Sequence, residues 1–231
     1  MIFVTGDTHR VRDIEKLEPY RFPEQEMLTR SDYLVIAGDF GGLWTGDEQD
    51  DEVLEYHNNK NYTTLFVAGN HENFDLLEQY PVEEWHGGKI RRIRENVIQL
   101  MNGQIFDIDG KKIFIMGGAT SIDRILRQEG ISWWPQEEPP YEEYEEAVEK
   151  LKGCGYKVDY IITHTCPEAV RRFVNDLYGE AIEYESQVEK FLDLVLKNVK
   201  YRKWFTGHLH KDRELNNINM RLIFNSVIKI K

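Results

Sequence analysis

Three short apolar runs in the first third of the chain end in the same way. Ile2-Phe3-Val4-Thr5 leads into Gly6-Asp7, Tyr33-Leu34-Val35-Ile36-Ala37 into Gly38-Asp39, and Thr64-Leu65-Phe66-Val67-Ala68 into Gly69-Asn70-His71. Such near-continuous runs, rich in Val and Ile, are the signature of strands buried on both faces. The pattern returns near the end, where Val158-Asp159-Tyr160-Ile161-Ile162 runs into Thr163-His164 and Trp204-Phe205-Thr206 into Gly207-His208-Leu209-His210. In an open α/β sheet, ligands bind beyond the carboxyl ends of the strands, where loops converge and backbone groups are free. A chain that places a polar residue after each buried strand therefore collects those residues at one edge.

Between these blocks, Glu24 to Arg30, Glu48 to Lys60 and Tyr141 to Leu151 have helical composition. Val188, Phe191, Leu192, Val195, Leu196 and Val199 fall on one face of an amphipathic helix over 186–200. The middle of the chain changes character. Residues 97–100, 104–108 and 111–116 read as antiparallel strands opening a second sheet, the last two joined by a turn at Asp109-Gly110. Residues 117 to 140, with Gly117-Gly118, Trp133-Trp134-Pro135 and Pro139-Pro140, read as a long ordered loop. The expected fold is one α/β domain over residues 1–231: a four-layer α-β-β-α sandwich of two mixed sheets flanked by helices. About 117–140 form its loop insertion, and a metal site lies at the C-terminal ends of the strands.

Charge narrows the function classes. Across 231 residues, 41 acids oppose 29 Lys plus Arg, a net charge of -12 that argues against a long nucleic acid lying on the surface. Residues 47–52 carry five acids and no base, and residues 137–150 seven Glu against one Lys, so these two segments hold eleven of those charges. Both are expected to be solvated faces. The basic run Lys89 to Arg94 is read as a solvated helix or edge face. No window approaches 18 uncharged apolar residues and the N-terminus has no signal-like pattern, so no membrane partner and a cytoplasmic location are expected. Cys154 and Cys166, in no CxxC spacing, suit a reducing compartment.

Five of the seven histidines lie inside the strand-end blocks; His57 and His86 do not and are read as structural. Asp7, His9, Asp39, Asn70, His71, His164, His208 and His210 form a mixed oxygen and nitrogen shell suited to Mn, Fe, Zn or Ni, with Mg as a further possibility. They exceed what one ion takes from protein, so two divalent ions are expected, Mn foremost, with a carboxylate such as Asp39 able to bridge them. Cys166, two residues beyond His164, is read as a packed or partly exposed thiol outside the site.

The ordered blocks Gly6-Asp7-Thr8-His9, Gly38-Asp39, Gly69-Asn70-His71, Thr163-His164 and Gly207-His208-Leu209-His210 resemble the motif series of the calcineurin-like metallophosphoesterases over residues 5 to 210. The resemblance implies one metal on Asp7, His9, Asp39 and His210 and another on Asp39, Asn70, His164 and His208. It leaves His71 as the general acid on the leaving oxygen while a metal-bridging hydroxide attacks phosphorus, with Asp39 the second residue of the catalytic centre. The expected enzyme is a dinuclear phosphoesterase acting on a phosphorylated small molecule, nucleotide or phosphoprotein, a phosphatase ahead of a phosphodiesterase. The alternatives are a phosphodiesterase or nuclease for small nucleotides, and a non-catalytic metal-binding interaction module.

Departures from the family pattern bear on the substrate. Where protein phosphatases of this family continue the second block with an Asp-Arg-Gly sequence, this chain reads Phe40-Gly41-Gly42-Leu43-Trp44, and Ala68 stands where those enzymes carry an Arg. Arg10, Arg124 and Arg127 are the candidate phosphate-binding residues, since a planar guanidinium suits bidentate contact. Salt bridges to Asp123 or Glu129 are the structural alternative for the loop pair. Trp133 and Trp134 wall a pocket, stack a base, or plug the loop onto the core, the last being the commoner role of loop aromatics.

Overall fold

Strands whose side chains are apolar on both faces must be covered on both faces, and here that produces four layers. In a computed structural model describing residues 1–180 and 183–231, the first sheet contains seven strands: β1 (Ile2–Thr5), β2 (Tyr33–Ile36), β3 (Thr63–Val67), β4 (Val82–Trp85), β5 (Gly88–Arg94), β6 (Val97–Leu100) and β13 (Ile228–Lys229). The second contains β7 (Ile105–Ile108), β8 (Lys111–Met116), β9 (Tyr160–Thr163), β10 (Lys203–Thr206), β11 (Arg213–Leu215) and β12 (Met220–Leu222). Their orders are β13-β1-β2-β3-β6-β5-β4 and β11-β12-β10-β9-β8-β7.

Alternation along each strand assigns the layers. Val4, Val35, Leu65 and Val67 of the first sheet meet Ile113, Ile115, Ile162 and Phe205 of the second in one buried cluster between the sheets. Outward-facing Ile36 and Phe66 pack with Leu54 of α1 (Glu48–Asn58) and Phe74 and Leu77 of α2 (Phe74–Leu77). On the other side, Phe114, Met116, Ile161 and Trp204 pack with Ala147 and Leu151 of α3 (Tyr141–Gly153), Val170 and Val174 of α4 (Glu168–Tyr178), and Val188, Leu192 and Val195 of α5 (Gln187–Asn198). Ser186 caps α5, accepting from the Glu189 amide. β1, β2, β3 and β6 are mutually parallel, as are β8, β9, β10 and β12, so the blocks after β1, β2, β3, β9 and β10 emerge at strand carboxyl ends.

Several expectations change. Residues 97–100 pair in parallel with β3 and so belong to the first sheet; the second begins at β7, where the β7–β8 hairpin is antiparallel as expected. Lys89 to Arg94 form strand, not helix: β5 is flanked by β4 and β6, with Ile90 and Ile93 buried. Residues 23–27 form a 3-10 turn. α4 adds a helix beyond those expected, over residues where Val170, Val174 and Leu177 follow helical spacing. The acidic segments are not uniformly solvated. Asp50 is buried and accepts from the amides of Trp44, Thr45 and Gly46 at 2.7, 2.8 and 2.7 Å, while buried Glu137 accepts from Ser121 N at 3.0 Å. Both cysteines are free, Cys166 being buried. Among the described residues, no helix is long and apolar enough to cross a membrane.

Candidate metal centre

The five strand ends converge, and their conformations are not ordinary. Nine non-glycine residues among those described have a left-handed backbone, and five of them are His9, Arg10, Asp39, His208 and His210. Such conformations cost on the order of 1 kcal/mol or more each and persist where surrounding contacts over-determine them. Those contacts are visible. Asp39 Oδ1 accepts from the His71 amide at 2.8 Å and Asp7 Oδ1 from the His208 amide at 3.1 Å, so each carboxylate ties its own turn to another strand's turn. Close approach requires glycine: a Cβ on Gly69 would stand 2.0 Å from Asp39 Oδ1, and one on Gly207 2.3 Å from Asp7 Oδ1.

Two ligand groups result. Asp7, His9, Asp39 and His210 offer atoms within 4.8 Å of one another, and Asp39, His164 and His208 form a second such group. Asn70 joins the second through Oδ1, 3.1 Å from His164 Nε2, because its Nδ2 donates to Ser121 Oγ at 3.1 Å. Asp39 belongs to both, its Oδ2 3.2 Å from His9 Nε2 and its Oδ1 3.2 Å from His164 Nε2.

The donor set fits divalent cations. His164 Nδ1 lies 3.1 Å from the Ala37 carbonyl and donates to it, which turns Nε2 toward the two oxygens Asn70 Oδ1 and Asp39 Oδ1. His9 Nδ1 lies 2.7 Å from Asp13 Oδ2, the carboxylate–histidine arrangement that fixes the tautomer of a metal-binding imidazole. Asp7 Oδ2 is buried 3.0 Å from His210 Nε2 but off the line of a hydrogen bond. Lone pairs that face lone pairs in a buried cluster are the arrangement a cation resolves.

Electrostatics agree. Burial opposes charge on Asp39, but His164 and His9 hold its carboxyl well below the usual range. Burial also opposes charge on His9, which the bond to Asp39 and the nearby Asp7 nonetheless raise to about 9; cations bound there would compete with that proton. His208 is pushed down to about 3, by burial and then by His164. His71 belongs to neither group. Burial, with Arg127 opposing its charge, lowers its pKa despite Asp39.

Of the three arginines, Arg127 alone lines the cavity at this site: Nη2 lies 3.5 Å from His71 Nε2 and Nε 2.8 Å from Asp123 Oδ1. Arg124 is bonded through Nε to buried Glu137 at 2.5 Å and lies over the Trp133 ring. Arg10, although next to His9, holds Asp50 at 2.8 Å. Trp134 plugs the core, 1 % exposed, its indole donating to Asp75 at 2.9 Å. Neither His57, buried beside Phe40, nor His86 enters the site.

Supporting residues lie outside the recognised motifs. Glu72 is fully buried and accepts from the Phe40 and Gly41 amides at 2.8 and 3.1 Å, bracing the turn that presents Asp39; burial and Asp39 push its pKa well up. Lys16 is buried and donates to the Asp7 and Phe224 carbonyls at 2.5 and 2.6 Å. Asp13, four residues beyond His9, is the one whose spacing could have been read.

A lariat debranching enzyme from Schizosaccharomyces pombe is 24% identical over 204 residues, 78% of this chain and 42% of that protein. One from Drosophila melanogaster is 22% identical over 227 residues, 91% of this chain and 37% of that protein. The chain thus spans about two fifths of the length of these relatives. A phosphopantetheinyl hydrolase structure from Mycobacterium tuberculosis superposes with a TM-score of 0.46 at 15% identity, covering 96% of this chain and 87% of that one. Residues 1–212 match the calcineurin-like phosphoesterase family, to which this chain therefore belongs.

Proposed function

We propose that this chain is a metal-dependent phosphoesterase, with one ion on Asp7, His9, Asp39 and His210, a second on Asp39, Asn70, His164 and His208, and His71 as proton donor. The observation that carries the reading is two ligand groups sharing one buried carboxylate, with an imidazole outside both facing a cavity. Two divalent cations supply an activated water and neutralise phosphate oxygens when bound. Asp39 holds the groups together, and Asp13 and the Ala37 carbonyl orient the imidazoles of His9 and His164. His71 is placed to give a proton to the departing oxygen, and Arg127 beside it to contact a phosphate oxygen.

Between a monoester and a diester, the debranching activity in the relatives' names favours the diester, reversing the preference drawn from sequence. Mn²⁺ is the expected first choice of metal, with Fe, Zn, Ni and Mg as alternatives. The test is hydrolysis of p-nitrophenyl phosphate and bis-p-nitrophenyl phosphate after chelation and readdition of Mn²⁺. We expect turnover that disappears with chelator and returns with metal, faster on the diester. A fully metallated protein that hydrolyses neither refutes the reading.

A further inference from the structure

A cavity of about 340 Å³ opens beside the second ligand group, with Asn70, His71 and His208 among its lining residues. Ile122 and Arg127 of segment 117–140, Asn175 of α4, and Tyr184 also line it. Asp7, His9 and His210 do not line it, so the space belongs to one side of the centre. It is also the side of His71. The oxygen that His71 protonates is the one that departs, so the departing half of the ester is the half that occupies this cavity.

The lining says what that half is. Its charged side chains are matched: Arg127 with Asp123 at 2.8 Å, Arg171 with Glu189 at 2.6 Å, and Glu180 with Lys211 at 2.9 Å. Arg127 is turned through Nη2 toward His71 and the scissile phosphate, so a second phosphate on the departing group would have to draw Arg171 from Glu189 or Lys211 from Glu180 to find a cation. The Tyr184 ring is fixed by the Arg171 guanidinium, 3.9 Å from its centroid, and by its hydroxyl donating to Glu189 at 2.9 Å. Ile122, more than half exposed, supplies an aliphatic face, and the largely buried Asn175 an amide. The volume lies at the small end of the range for small-molecule sites, about 300–1,000 Å³.

We propose that this cavity receives the leaving half of a phosphodiester and that this half is an uncharged nucleoside, its base flanked by Ile122 and Tyr184 and met at its edge by Asn175. The proposal rests on the phosphoesterase reading above. Water oxygen bonds to phosphorus, the P–O bond to the nucleoside breaks, and the released oxygen takes its proton from His71. The products are a free nucleoside and a phosphate monoester.

The test uses Mn²⁺-loaded protein and three substrates: bis-p-nitrophenyl phosphate, adenylyl-adenosine, and adenylyl-adenosine carrying phosphate on both free ribose ends. For the wild type, kcat/KM should be about tenfold higher for the uncharged dinucleoside than for its end-phosphorylated form. Ile122→Lys, which adds a cation at the rim of an exposed loop, should shift that ratio about threefold to fivefold toward the end-phosphorylated substrate. Equal wild-type values for the two dinucleotides, or an Ile122→Lys variant that changes both alike, overturns the cavity assignment while turnover of bis-p-nitrophenyl phosphate leaves the phosphoesterase reading standing. No turnover of any of the three takes both down.

Discussion

Acidification should destabilise this protein through His57, a residue outside both ligand groups. Its imidazole is fully buried beside Phe40, Nδ1 lies 3.3 Å from Thr64 Oγ1, and Nε2 has no hydrogen-bond partner among the described residues. Burial, with Lys60 adding to it, holds the ring neutral down to about pH 3. In the unfolded chain the same ring titrates near 6.5. Between these values the unfolded state binds more protons, so stability falls as pH drops through that window and is fully present above it. At pH 5 the loss is ~2 kcal/mol relative to pH 7.5, rising toward about 5 kcal/mol near pH 3. Other groups titrate over the same range, so the comparison is with His57→Leu, which removes this ring alone. At pH 7.5 the variant should be less stable by about 1–3 kcal/mol, because it leaves the buried Thr64 hydroxyl without its Nδ1 partner. At pH 5 the variant should have gained ~2 kcal/mol on the wild type, measured by urea unfolding followed through tryptophan fluorescence at equal metal loading. Parallel pH dependences for the two proteins would show that His57 takes up no proton on unfolding and refute the argument.

Asp39→Asn should lose at least one of two ions by elemental analysis, and retention of both would count against a shared ligand. His71→Ala should keep its metals yet lose on the order of 10²-fold in turnover, more for alkyl leaving groups than for p-nitrophenol; equal losses would contradict proton donation. Asp13→Ala frees the His9 ring and should weaken metal binding about 10- to 100-fold by competition with a chelating dye. Trp134→Ala removes a buried indole and its bond to Asp75, and should cost roughly 3–5 kcal/mol in unfolding experiments.

The candidate ligands were legible as a set because strand and side-chain signals coincide: a buried run, a glycine and then a residue of chelating type recur at Asp7, Asp39 and His208. The two-sheet sandwich followed from the same runs. Pairing partners were less accessible, since Val97 to Leu100 is equally apolar whether it joins β3 or opens a second sheet. Glu72, Lys16 and Glu137 were invisible for another reason. Each is a charged residue of a type usually found in water, and only the folded chain shows the backbone amides or carbonyls that bury it. The arginines divided on a similar detail, the acid nearest each guanidinium: Asp50 for Arg10, Glu137 for Arg124, Asp123 for Arg127.

Asp7 and Asp39 each spend one oxygen on a main-chain amide of a different loop. Loop architecture is thereby written into two side chains whose other oxygens belong to the candidate metal groups. A descendant that abandoned catalysis would remain under selection to keep both aspartates for the sake of its shape, while the His71 ring, which meets Arg127, His9 and Trp44 but ties no turn to another among the described residues, would be freer to drift. In a lineage of such proteins, loss of the imidazole, and not loss of the carboxylates, would be the first mark of retired chemistry.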